Sequence, residues 1–240
     1  MTTTELSCTV LGQRIALHQE DTVFAPTLTT RFLTDQIDRA RLAGSNVLDL
    51  GCGSGPIAIA LALAGARHVD AIDIMPEACR LARQNADLNG VADRISVFEG
   101  DLFDPVRGRR YDLIVDDVSG VAEEVARVSS WFPNEVPSGG PDGTRHAGRM
   151  LEAARVHLSP GGYLLFPVLS LSRVQEVVRV AREAFGERVR RVASRRIPFN
   201  PQLRRESALL DRLKRAGVVD FEQVRSRRFW TLDIYRADAA

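Results

Sequence analysis

Two adjacent carboxylates, Asp116 and Asp117, close the apolar run YDLIVDDVSG at 111–120. A pair of acids at a strand end either sits in a solvated turn or does chemistry. Carboxylates accept protons without donating them and favour a cationic partner. A protonated amine has no lone pair for attack, so an acid that binds it can also take its proton. Asp117 is expected to face an acceptor nitrogen and Asp116 a cofactor. The two roles are exchangeable, because strand alternation sets opposite faces without saying which is which. His146 is a further candidate base, at the end of the turn-rich stretch SSWFPNEVPSGGPDGTRH (129–146). Long loops at strand ends often serve as lids, and Trp131 and Phe132 either close over a substrate or pack on a neighbouring helix. His18, His68 and His157 belong to no constellation.

A second set of residues points to a nucleoside. VLDLGCGSG places Gly51, Gly53 and Gly55 where a strand turns into a helix, the ligand crevice of an open α/β sheet. A dinucleotide fingerprint would need glycine at 56, where the chain has Pro56. Acids instead stand on successive strands: Asp49 on the first, Asp73 at the end of the second, Asp101 after the third. An acid closing the second strand can hold both hydroxyls of a ribose, and one after the third can accept from an adenine amino group. No pyrophosphate partner is present, so the ligand implied is a nucleoside without phosphates, carrying a cationic or amino-acid end.

The elements that must position these groups read as alternating strands and helices. Strands are predicted at 46–51, 69–74, 95–103, 111–118 and 161–171, with helices at 56–66, 76–90, near 145–157 and at 172–185. Apolar strands in this alternation argue for a parallel sheet covered on both faces. Two further strands are predicted at 188–199 and 228–237, joined by a helix near 201–215. Residues 22–37 read as a helix covering one edge.

VLDLGCGSGPIAIALA, AIDIMPEACRLARQNADLNG and FEGDLF together resemble the S-adenosylmethionine site of class I methyltransferases. The resemblance covers about residues 46–170. It implies a Rossmann-like α/β fold, with a seven-stranded, mostly parallel sheet, an antiparallel edge hairpin and helices on both faces. It also implies S-adenosyl-L-methionine as cofactor. The glycine turn would lie beside the methionine part, Asp73 with Ile74 at the ribose, and Asp101 with Leu102 near the adenine. Two more stretches resemble the HemK-type branch, which includes the glutamine methyltransferases of peptide-release factors. Pro26 and Thr30 match a segment preceding the domain, and Gly139, Gly140, Asp142 and Gly143 match a loop before the last core helix; Pro26 and Thr30 are thereby added to the cofactor site. That branch carries N-P-P-Y where this chain has Asp117-Val118-Ser119-Gly120, which removes an amide and an aromatic stack.

Composition bounds the rest. The 240 residues, 45% apolar, suit one domain: a cover segment at 1–45, a cofactor core at 46–170 and a carboxy-terminal part at 171–240. Three cysteines without metal-ligand spacing predict reduced thiols, no metal and a cytoplasmic location. MTTTELSCTV has no basic n-region, so no signal peptide is expected, and no apolar run is long enough to span a membrane. Net charge is +1, yet residues 182–228 hold fourteen basic against six acidic residues. Only Lys214 among the 32 basic residues is not arginine. Methyl transfer to a nitrogen, or else an oxygen, of a small metabolite is the leading expectation, because the missing N-P-P-Y and the roomy Gly120 favour a non-protein acceptor. The rivals are a protein or RNA of the translation apparatus, and a non-catalytic module that binds S-adenosylmethionine. Oligomeric state is left open.

Overall fold

The computed structural model describes residues 4–240, so the first three residues of the stretch read for a leader lie outside the described residues. The chain opens with a two-stranded hairpin, β1 (Thr4–Val10) and β2 (Gln13–Gln19), then a short helix α1 (Leu28–Thr34). The alternating core follows: β3 (Asn46–Leu50), α2 (Pro56–Leu63), β4 (His68–Asp73), α3 (Pro76–Leu88), β5 (Ile95–Glu99) and β6 (Tyr111–Asp116). After α4 (Glu123–Arg127) and α5 (Arg145–Ala154) come β7 (Leu158–Leu169), α6 (Val174–Phe185) and β8 (Val189–Pro198). The chain ends with α7 (Pro201–Arg205), α8 (Ser207–Arg215), β9 (Glu222–Val224) and β10 (Arg227–Asp238).

The large sheet runs β5-β4-β3-β6-β7-β10-β8, with short β9 paired to the start of β10. Neighbours from β5 to β7 are parallel, and β10 is antiparallel to both β7 and β8. The expected parallel core and antiparallel edge are present, and short β9 makes eight strands where seven were expected. Each central strand is an apolar run because both its faces are covered. Val47, Leu113 and Val115 face a core shared with α1, α2 and the hairpin; Leu48, Ile114 and Phe166 face α5 and α6. Among the described residues no helix is long and apolar enough to cross a membrane.

Several elements differ from expectation, among them the helix read near 201–215, which is two helices broken at Glu206, and the unforeseen α4 and β9. The helix read at 22–37 shrinks to Leu28–Thr34, because Thr27 caps it: its side chain accepts from the Thr30 amide while Thr30 bonds the Thr27 amide in return. Residues 22–27 are left to run outside any helix beside the glycine loop. The third strand stops at Glu99, and Gly100–Phe103 form a turn in which Leu102 has φ +50°. The hairpin β1–β2 had no counterpart in the sequence reading.

Candidate active site

All three loop glycines are left-handed, with φ of +73° at Gly51, +52° at Gly53 and +89° at Gly55. L-residues are strained there, and so glycine is required. A Cβ on Gly55 would lie 3.2 Å from Ala82 Cα, so this glycine also lets α2 and α3 approach. At Gly53 a Cβ would meet nothing nearer than the Phe24 carbonyl, at 3.8 Å. The loop backbone is therefore bare on the side of a pocket, which lies at the carboxyl ends of β3, β4 and β6.

Asp73 organises that loop. Its Oδ2 accepts from the Gly53 amide at 2.9 Å and its Oδ1 from the Met75 amide at 2.9 Å. Burial raises its carboxyl pKa, and the backbone amides oppose the rise. Each oxygen keeps a further lone pair for hydroxyls in the pocket. Ile74, 50% exposed, Leu102 and Pro26 also line the wall. Asp101 lines it too, with one oxygen held by Arg149 of α5 at 2.8 Å.

Asp49 is placed differently from expectation. It is fully buried and absent from the pocket wall, and its Oδ2 accepts from the Ala58 amide at 3.0 Å. It thus caps the first turn of α2 from below, while its buried Oδ1 has no partner among the described residues. A strand position that precedes the turn by two residues points into the sheet's cover, which is why this acid does not reach the ligand side.

The carboxylate pair divides between the two faces. Asp116 is 3% exposed and follows Ile114 toward the α5–α6 face, accepting weakly from the Val118 amide at 3.4 Å. It does not line the pocket, although the sequence placed it toward the cofactor. Asp117 is half-buried on that wall, and its Oδ2 accepts from the Thr30 hydroxyl at 2.9 Å. Burial pushes Asp116 up to about 8, with Asp117 adding to the rise. Burial likewise pushes Asp117 up to about 7, against the Thr30 bond, which lowers it. Thr30, expected at the cofactor, also lines the pocket, but its hydroxyl hydrogen is committed to Asp117.

His146 lies on the wall, its Nε2 2.9 Å from the Ser138 carbonyl. Burial lowers its pKa, so the ring is neutral with Nε2–H donating, and Nδ1 is left as the acceptor. Phe132 is buried edge-on against Phe24, with ring centroids 5.0 Å apart, whereas Trp131 is 37% exposed at the rim. One aromatic therefore anchors the loop and the other is offered outward. Gly139–Gly143 are structural: a Cβ on Gly143 would lie 2.4 Å from Ser172 Cβ, and the Asp142 carbonyl accepts from the Arg173 amide. The residues from 22 to 25, with Phe24 at their centre, were missed by sequence reading. They line the pocket as part of the turn and loop between β2 and Pro26.

Among the described residues the wall thus carries Asp73, Asp101 and Asp117 and neither Lys nor Arg. Three carboxylates, of which only Asp101 has a cationic partner, beside a bare glycine backbone and an apolar shelf suit a nucleoside that brings its own positive charge. S-adenosylmethionine, with its sulfonium, fits that donor set.

Comparison with known proteins agrees. The family described as ribosomal protein L11 methyltransferase (PrmA) matches residues 27–132. The chain is 31% identical over 189 residues to a putative protein N5-glutamine methyltransferase of Methanocaldococcus jannaschii, covering 78% of this chain and 91% of that protein. It is 35% identical over 153 residues to the release factor glutamine methyltransferase of Geobacter sulfurreducens, covering 60% of this chain and 52% of that one. The chain therefore spans about half the length of the latter relative. The T. thermophilus 16S rRNA N2 G1207 methyltransferase, in complex with AdoMet and guanosine, shares the fold with a TM-score of 0.61 at 16% identity. That match covers 99% of this chain and 51% of that chain. These relatives overturn the expected small-metabolite acceptor and the small-molecule partner, since their names give proteins as substrates: a protein glutamine, a release factor glutamine and, in the matching family model, ribosomal protein L11. With the cofactor site and these relatives in agreement, the chain belongs to the class I S-adenosylmethionine-dependent methyltransferases, homologous to the protein N5-glutamine methyltransferases.

Proposed function

We propose that this enzyme methylates a nitrogen on a protein of the translation apparatus, in the cytoplasm, and that its acceptor is an amine that arrives protonated. The observation that carries the reading is Asp117, a carboxylate on the pocket wall with no cationic side chain beside it. A half-buried carboxylate whose bonded partner is a neutral hydroxyl still favours a cation, and in this reading the acceptor supplies it. S-adenosylmethionine, when bound, supplies an activated methyl group. The protein's part is to align the acceptor and exclude water, which can contribute about 7–11 kcal/mol in favourable cases.

In this reading Asp73 and Asp101 bind the nucleoside, and the glycine loop admits its amino-acid end. Thr30 holds one oxygen of Asp117, so the other receives the acceptor's proton. Trp131 covers the mouth, and His146 Nδ1 is a secondary acceptor. We place the chain as a divergent HemK-type enzyme, in which Asp117–Gly120 replace N-P-P-Y. The replacement exchanges recognition of a planar amide for recognition of a cation.

The test uses tritiated S-adenosylmethionine and an extract from a strain lacking this gene, freed of small molecules by gel filtration. Label that is lost to protease, resists RNase and yields methylated amine on acid hydrolysis supports the proposal. Label removed by RNase, or found only in the small-molecule fraction, sinks it.

A further inference from the structure

We infer that the sheet edge bearing the pocket also carries an RNA-docking surface, built on the connection 199–228. β8 runs in the same direction as β7, because both are antiparallel to β10. The connection from the end of β8 to the start of β10 therefore lies at the carboxyl edge of the sheet, where the pocket opens. It is fastened to the pocket's rim: the Gln202 side chain accepts from the Ser130 amide at 2.8 Å, next to Trp131, and Arg212 pairs with Glu124.

This stretch holds eight basic and four acidic residues. Three of the acids are already neutralised, in the pairs Arg228–Asp211, Lys214–Asp220 and Arg196–Glu222. Arg204, Arg205, Arg215, Arg225 and Arg227 remain, all exposed and without a side-chain hydrogen bond or ion pair among the described residues. They stand on α7, the end of α8 and the β9–β10 turn. Charges spread over three elements match a backbone whose negative charge repeats at every unit, and a guanidinium matches a phosphate in two-point geometry. An acidic protein patch would need only a local cluster. A ribosomal or factor substrate presented on RNA would thereby be brought to the pocket.

The probe is a fluorescently labelled RNA hairpin, titrated with the full chain by anisotropy from about 50 to about 200 mM salt. Two double variants, R204E/R205E and R225E/R227E, are compared with R155E/R188E, whose residues precede β7 and β8 at the opposite edge. Each pocket-edge pair should bind roughly tenfold more weakly, with the salt slope reduced by about one per arginine removed. The opposite-edge pair should bind as wild type. Arg→Gln versions, which add no negative charge, should show the same order with smaller losses. Wild-type chain that binds no RNA at low salt overturns the inference. So does equal loss from the opposite-edge pair, or a preference for a poly-glutamate peptide over RNA. No methyl transfer enters the readout, so this result and the test of the acceptor stand or fall separately.

Discussion

Asp117 and Asp116 are adjacent in the chain, yet one reaches the pocket and the other is sealed beneath it. Their raised pKa values make a prediction with a definite sign. A carboxyl raised on folding binds its proton more tightly in the native state, so its contribution favours folding at low pH and is lost as pH rises through the folded value. Between about pH 4, the unfolded value, and about 7 to 8, these two acids should lower the melting temperature of the ligand-free protein as pH increases. Asp117→Asn should flatten that slope, measured by calorimetry across this range; an unchanged slope would refute the buried assignment. S-adenosylmethionine should stabilise most at the alkaline end, where both acids are charged. Asp73→Ala should weaken cofactor binding in a folded protein, because each hydrogen bond to a charged group contributes on the order of 1.5–3 kcal/mol. Titration calorimetry that shows wild-type affinity would remove Asp73 from the site. Asp73, Asp101 and Asp117 line the pocket, as strand-end acids need only their place in the chain to do so. Asp49 and Asp116 do not line it, because which face a residue takes depends on the layers packed around the sheet. The commitment of Thr30 to Asp117 spans 87 residues of chain and left no local trace.

At the scale of elements, the unexpected hairpin proves to be a brace for the cofactor loop. Asn85 on α3 accepts from the His18 amide at 2.7 Å and donates to the His18 carbonyl and to the Ser54 carbonyl of the glycine turn. One helical turn on, Asn89 exchanges the same pair of bonds with Ala16. Two side chains thus satisfy the outer edge of β2, which would otherwise be open to pairing with another chain. The Gln19 side chain adds a bond from Ser54 Oγ at 3.0 Å. Asn85→Ala leaves three partners unsatisfied, the buried Ser54 carbonyl among them, and should cost about 3 kcal/mol in urea denaturation, against about 1 for the more exposed Asn89→Ala. Equal losses would mean that the hairpin is not anchored at the glycine turn. The hairpin escaped sequence reading because its turn, Leu11-Gly12, has φ of +50° and +70°. The usual signal there is Asn-Gly or Asp-Gly, and leucine at the first position hides it. The parallel strands were legible for the opposite reason: burial on both faces writes them as unbroken apolar runs.

For the molecule as a whole, sheet order and layers assemble a pocket from segments as distant as Pro26, Asp73 and His146. The fold class and cofactor could be read from the sequence because the glycine turn and its acids are local. The acceptor could not, because Asp117-Val118-Ser119-Gly120 does not say by itself which nitrogen the site receives. The central claim is that Asp117 serves the acceptor and Asp73 the cofactor. The most direct measurement pairs titration of S-adenosylhomocysteine with transfer of tritiated methyl to the protein fraction, in wild type and Asp117→Asn. The account predicts affinity within about twofold of wild type and transfer reduced about a hundredfold or more, as expected for loss of a group used as a proton acceptor. Wild-type transfer by Asp117→Asn, or loss of binding in step with loss of transfer, would contradict it.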